Sequence, residues 1–168
     1  RGMDYAIGAA YFTAPEAGSP LAALYAELGV DRIWRRKSEG HPVALDGRLV
    51  EDFWQGETVP AAQRQQFRTI ADYFRRLNQG EGGLAYPQIP AATTRQRAHV
   101  NALDRVSFRR HVESVLRGRR LHPHIATAFE HYCWSSFGAS FAEVSAAAGL
   151  NFFAAEFGGA LVYPGGNA

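Results

Sequence analysis

The chain has 168 residues, 46% of them hydrophobic and 12% aromatic, with a net charge of +2 at neutral pH and a single cysteine, Cys133. This is enough apolar material for one buried core in one domain, and too little cysteine for a disulfide framework or a cysteine-based metal site. No uninterrupted apolar run reaches the length of a membrane span, and Arg1-Gly2-Met3-Asp4 is not followed by the long apolar stretch of a signal peptide, so neither is expected. The compartment, cytoplasmic or periplasmic, stays open.

In chain order, the apolar and aromatic run from Asp4 to Phe12 predicts a short buried strand, with Gly8 where a backbone or ligand approaches closely. Ser19 and Pro20 supply an N-cap and a first-turn proline for an amphipathic helix that carries Leu21, Leu24, Tyr25 and Leu28 on one stripe and stops at Gly29. Val43-Ala44-Leu45 and Arg48-Leu49-Val50 flank Asp46-Gly47, the two-residue signal of a β-hairpin. Between Pro60 and Leu77, the apolar positions Ala62, Phe67, Ile70, Ala71, Phe74 and Leu77 recur at helical spacing.

The glycine-rich segment 78–83 ends that helix, and a proline-punctuated loop runs from Tyr86 to Ala92. Ser107 caps a helix that ends at Gly118, and Pro123 opens another with Ile125, Ala128, Phe129 and Tyr132 inward. Ser140-Phe141-Ala142-Glu143 is a capping-box pattern at the head of a helix running to about Ala155. After Gly158-Gly159 the run from Ala160 to Tyr163 reads as an extended segment. The expected fold is α+β: a small sheet from distant segments plus a β-hairpin, with a mainly helical cap between. One domain spans 1–168, divided into 1–59 (strand, short helix, hairpin), 60–157 (helical cap) and 158–168 (returning strand and glycine loop).

Charge is unevenly spread. Residues 1–60 carry six basic and nine acidic groups, 61–120 twelve arginines against four acids, and 121–168 no basic residue and three acids. Seventeen of the eighteen basic residues are arginine, as a GC-rich genome would produce. Arg95, Arg97, Arg105, Arg109, Arg110, Arg117, Arg119 and Arg120 lack the lysines and stacking aromatics of a nucleic-acid module, so no nucleic acid is expected. A solvated face, or arginine forks for an anionic substrate or partner, fits them better.

Gly80-Glu81-Gly82-Gly83-Leu84-Ala85 matches a loose dinucleotide pattern, but a helix precedes it and Pro87 follows, so it reads as a helix stop. His122, His124, His131 and Cys133 resemble a zinc set without completing one. Helix-end histidines and a buried thiol are the expectation, with no metal. Asp104 and Glu113 suit helix ends, and nothing in the chain identifies a general base. The aromatics between Phe129 and Tyr163 serve either a core or a pocket for a planar cofactor or hydrophobic substrate. Tyr132, Trp134 and Phe137, with Tyr11, are the candidate substrate-pocket residues.

The run from Ala160 through Tyr163, Pro164, Gly165 and Gly166 to Ala168 resembles the strand, Tyr-Pro-x-Gly-Gly loop and helix of flavin-containing amine oxidases and phytoene desaturase-like enzymes. Phe137-Gly138-Ala139, Val144 through Leu150 and Phe153-Ala154-Ala155 are similar to a helix that precedes that loop in bacterial members. Gly8 through Phe12 with Pro15 looks like the strand leaving their first flavin-binding section, and Leu103 through Phe108 resembles the start of their cap helix. The resemblance implies the substrate-binding segment of an FAD-dependent oxidoreductase that oxidises an amine or desaturates a carbon–carbon bond. It makes Tyr163, Pro164, Gly165 and Gly166 the flavin-edge loop.

The family's N-terminal unit with G-x-G-x-x-G and its closing C-terminal section have no counterpart in these residues. The segment would then correspond to the middle of such an enzyme. It would be inactive alone, with its partners a small-molecule substrate and a flavin-binding section of the same protein or a companion chain. A stand-alone helical interaction domain, presenting an arginine-rich face to an acidic partner, is the alternative.

Overall fold

The computed structural model describes residue 15, residues 17–29 and 43–157, and the backbone of 35–36 and 161–162. The first expected strand, 4–12, and the glycine loop, 163–166, lie outside the described residues. The chain divides into two compact units, Arg1–Glu39 with Gly158–Ala168, and Gly40–Phe157. The described residues are mostly helical with small antiparallel pairings, an α+β composition.

In the first unit, helix α1 spans Pro20–Glu27, and the Ser19 side chain accepts a hydrogen bond from the Ala22 amide at 3.2 Å. Proline at the first turn costs no hydrogen bond there, and Gly29 takes the left-handed conformation (φ 68°) that ends the helix. Its apolar stripe is not buried: Leu21, Leu24 and Leu28 are exposed and only Tyr25 is half-covered. Strand β1 (Arg35–Arg36) pairs antiparallel with β4 (Leu161–Val162), Arg35 opposite Val162 and Arg36 opposite Leu161. The returning strand therefore has its described partner at 35–36, where the sequence reading placed no strand, and the pairing joins segments distant in sequence.

The second unit opens with the hairpin β2 (Val43–Leu45) and β3 (Arg48–Val50), in register Val43↔Val50 and Leu45↔Arg48. Asp46 and Gly47 both have positive φ, 49° and 73°, which a two-residue turn between right-twisted strands requires. A 3₁₀ turn at Phe53–Gln55 buries Phe53 and Trp54. Helix α2 (Arg64–Gln79) presents Phe67, Ile70, Ala71, Phe74 and Leu77 to the core, and Gly80 closes it at φ 67°.

Helix α3 (Thr94–Asp104) is an addition to the sequence reading, which passes from the proline loop to Ser107 without it. It buries none of its residues, so the apolar periodicity that reveals a helix is missing. It is held at its start by a reciprocal capping box, with Thr93 accepting from the Gln96 amide and Gln96 accepting from the Thr93 amide. Helices α4 (Phe108–Val115), α5 (Pro123–Phe137) and α6 (Ala146–Glu156) follow.

The expected helix from Ser140 starts later. Ser140 and Glu143 make only half of the box: the Ser140 amide and hydroxyl donate to Glu143 Oε2 at 3.1 and 2.6 Å, while the Glu143 amide donates to the Ser140 carbonyl rather than to its hydroxyl, and only one turn closes. The backbone is then diverted into a bridge between Ser107 and Ser145. The Phe108 amide donates to Val144 O and the Ala146 amide to Val106 O, both at 2.7 Å. A helix cannot run through groups bonded elsewhere, so α6 begins afresh at Ala146 with Ser145 as its cap.

The core of this unit is aromatic. Phe74 stacks on Phe157 at 5.3 Å, Phe129 on Phe141 at 4.9 Å, and Phe108 meets Phe129, Phe141 and Phe153 edge-on or tilted. Gly149 is where α6 lets the Phe108 ring approach its backbone, since a Cβ there would lie 2.4 Å from Phe108 Cγ. Among the described residues no buried polar or charged side chain is found, so hydrophobic burial and ring packing hold the unit together.

Candidate functional site

Tyr11, Tyr163, Pro164, Gly165 and Gly166 lie outside the described residues. Tyr132, Trp134 and Phe137 stand on α5. Tyr132 is half-buried against Phe152 and Phe153, at 5.7 and 4.7 Å, and Phe137 meets Phe152 edge-on at 5.5 Å. Phe152, 41% exposed, thus links two of the three. Trp134 is 55% exposed and is held by its indole N–H donating to Glu130 Oε1 at 2.9 Å. Tyr132, Phe137 and Phe152 are thus brought together, Trp134 stands apart from them on α5, and Phe129, Phe141, Phe153 and Phe157 are spent on the core.

The arginine-rich stretch builds a second feature. A cleft of about 760 Å³ lies between the first turns of α2 and the connection from α4 to α5. Its lining includes Arg117, Arg119 and Arg120 and no carboxylate. Among the described residues the ion pairs are Arg75 with Asp72 and Arg109 with Glu113, and no described acid pairs with these three exposed arginines.

The connection is tightly braced. Arg117 and Gly118 both take positive φ, 56° and 75°, and their amides donate back to Ser114 O and Glu113 O at 2.9 and 3.0 Å. Gln66, on α2, bonds it from across the cleft, with Nε2 donating to Arg120 O at 3.0 Å and Oε1 accepting the His122 amide at 2.5 Å.

His122 completes the brace. Its Nδ1 accepts the His124 amide at 3.2 Å as the cap of α5, so the ring proton sits on Nε2 and is donated to Gln63 Oε1 at 3.1 Å. Loss of hydration lowers its pKa, and the neighbouring His124 lowers it further, which preserves this neutral tautomer. Both histidines therefore act at a helix end. Cys133 is fully buried, and burial, then Glu130, pushes its thiol up to about 11. It stays protonated, a poor nucleophile and a poor metal ligand. Among the described residues no group of three or more His, Cys, Asp or Glu could hold a metal ion.

One further polar pair escaped the sequence reading. Tyr73 on α2 and His111 on α4 meet at 2.7 Å between Oη and Nε2. Burial pushes the Tyr73 hydroxyl up to about 12, so it keeps its proton and donates to His111. Burial, then His99, lowers the His111 pKa and keeps the imidazole neutral. The residues are 38 apart in sequence, with no local pattern linking them.

The Gly80–Gly83 loop offers no dinucleotide cradle. It follows a helix, makes a 3₁₀ turn and leads into the extended stretch from Leu84, whereas a pyrophosphate needs the N-terminus of a following helix. This loop thus does not fit the phosphates of a flavin dinucleotide. No helix among them is long and apolar enough to cross a membrane. Comparison of the chain with protein-family models, with curated proteins and with solved structures finds no match.

Proposed function

We propose that this chain is the substrate-side segment of an FAD-dependent oxidoreductase of the amine oxidase and phytoene desaturase type. The observation that carries the reading is the clasp at Ser107 and Ser145. Two separate stretches that resemble the family, 103–108 and 144–150, are the ones joined there by paired backbone bonds and by the Phe108 ring on Gly149. Two segments that resemble one family and pack on each other are what a single cap of that family would require.

The antiparallel pair β1 and β4 supports it too, because a helical segment between two paired strands suits a cap inserted into a sheet. FAD, held by a flavin-binding section of the same protein or a companion chain, would accept hydride from an amine or a carbon–carbon bond. The residues of this chain would shape the substrate cavity and exclude water, with Tyr132, Trp134 and Phe137 as the apolar contacts and Tyr163 to Gly166 at the flavin edge.

The test is substrate-dependent flavin reduction. The protein expressed from its entire reading frame is mixed anaerobically with a panel of amines and of polyenes, and the visible flavin absorption is followed. Bleaching by a member of either class, with a raised half-saturation concentration in Trp134→Ala or Phe137→Ala, is expected. Absence of bleaching across both classes in a flavin-loaded protein would remove the reading.

A further inference from the structure

The geometry points to the α2/α4–α5 cleft as a binding site for a small polyanion carrying phosphate groups, a role independent of the flavin reading. Arg117, Arg119 and Arg120 all line one cleft whose lining has no carboxylate, and no described acid pairs with them. Like charges gathered along one cleft repel one another, and an anion bound among them would relieve that repulsion. Guanidinium forks match phosphate oxygens two at a time, which gives orientation as well as charge.

The volume, about 760 Å³, is that of a small-molecule site. The backbone that carries the arginines is fixed before any ligand arrives. Gln66 holds the Arg120 carbonyl and the His122 amide, and the Arg117, Gly118 and Arg119 amides are bonded to Ser114, Glu113 and Leu116. A braced loop loses little freedom on binding, and that saving distinguishes a site from three arginines on a mobile surface. Leu116 and Leu121 are buried beneath the loop and anchor it to the core, leaving the charged groups exposed at the rim.

The experiment is a calorimetric titration of the full chain with inorganic pyrophosphate at low ionic strength, with citrate and poly-glutamate as competing probes. One saturable site is expected, with affinity falling about tenfold or more in Arg119→Ala/Arg120→Ala. Arg119→Lys/Arg120→Lys, which keeps the charge and loses the forks, is expected to fall between the two. Gln66→Ala is expected to weaken binding with every charge retained, and a loop that is not braced for the ligand would leave affinity unchanged in that variant.

Far-UV circular dichroism checks that each variant is folded. If the alanine pair unfolds, the lysine pair and Gln66→Ala carry the test. No saturable binding of pyrophosphate, or equal affinity in the folded arginine variants, overturns the proposal. Citrate binding as tightly as pyrophosphate overturns the assignment to phosphate. Poly-glutamate binding more tightly than pyrophosphate overturns it in favour of an acidic protein partner.

Discussion

Replacing Gly149 with alanine tests the clasp directly, because two opposed effects of known size meet there. Alanine in a helix interior is favoured over glycine by about 1 kcal/mol, so at an open position the change would stabilise α6. Here the new Cβ would lie 2.4, 2.5 and 2.8 Å from Phe108 Cγ, Cδ1 and Cδ2, where carbon contacts normally settle at about 3.5–4.0 Å. The ring would have to retreat by about 1 Å. It is 1% exposed and already touches Phe129 and Phe141 at centroid distances of 5.3 and 5.1 Å, so the displacement spreads into the core.

Overpacking of that kind costs about 1–3 kcal/mol, more where the neighbours cannot yield, and it outweighs the helical gain. Urea unfolding followed by tryptophan fluorescence, with the buried Trp54 as a reporter, measures the difference. In a Phe108→Leu background the penalty should shrink, because the planar ring that meets the Cβ is gone. Gly149→Ala as stable as the parent, or equally costly in both backgrounds, would refute the proposed contact.

Other outcomes follow from the same structure. Ser107→Ala and Ser145→Ala each remove an N-cap, and each should cost about 1 kcal/mol in the same unfolding assay. His111 and His122 have folded pKa values below the ordinary 6.5, so the unfolded chain binds protons first as the solution is acidified. Their contribution is intact above pH 6.5 and is lost as pH falls from there toward the folded values. The melting temperature should therefore drop between pH 7.5 and 5, with a shallower drop in His111→Gln. Cys133, buried and with its thiol pushed up to about 11, should resist a thiol-disulfide reagent in the native protein and react only as denaturant opens the fold.

The parts of the fold that were legible in the sequence are those set by local rules. The Asp46-Gly47 hairpin needs only two residues with positive φ, and α2 announces itself through Phe67, Ile70, Ala71, Phe74 and Leu77. Helix α3 was not legible by periodicity because it buries nothing, although Thr93-x-x-Gln96 carried the capping-box signal that would have found it. The start of α6 was misplaced for a non-local reason. Glu143 does accept from Ser140, but Ser140 does not return the bond through its hydroxyl, and whether a helix continues past this turn depends on bonds to Val106 and Phe108 far back in the chain.

The cleft shows the same division. The density of arginine and its suitability for an anion could be read from composition. The brace from Gln63 and Gln66 to Arg120 and His122 joins residues 54 to 59 apart, which no spacing rule connects.

The central claim is that this chain belongs beside a flavin. Its most direct measure is the molar ratio of FAD to protein, determined from the visible spectrum after purification of the protein expressed from its whole reading frame. The account predicts a yellow protein with close to one FAD per chain. A colourless protein that takes up no FAD when the cofactor is supplied in excess would contradict it.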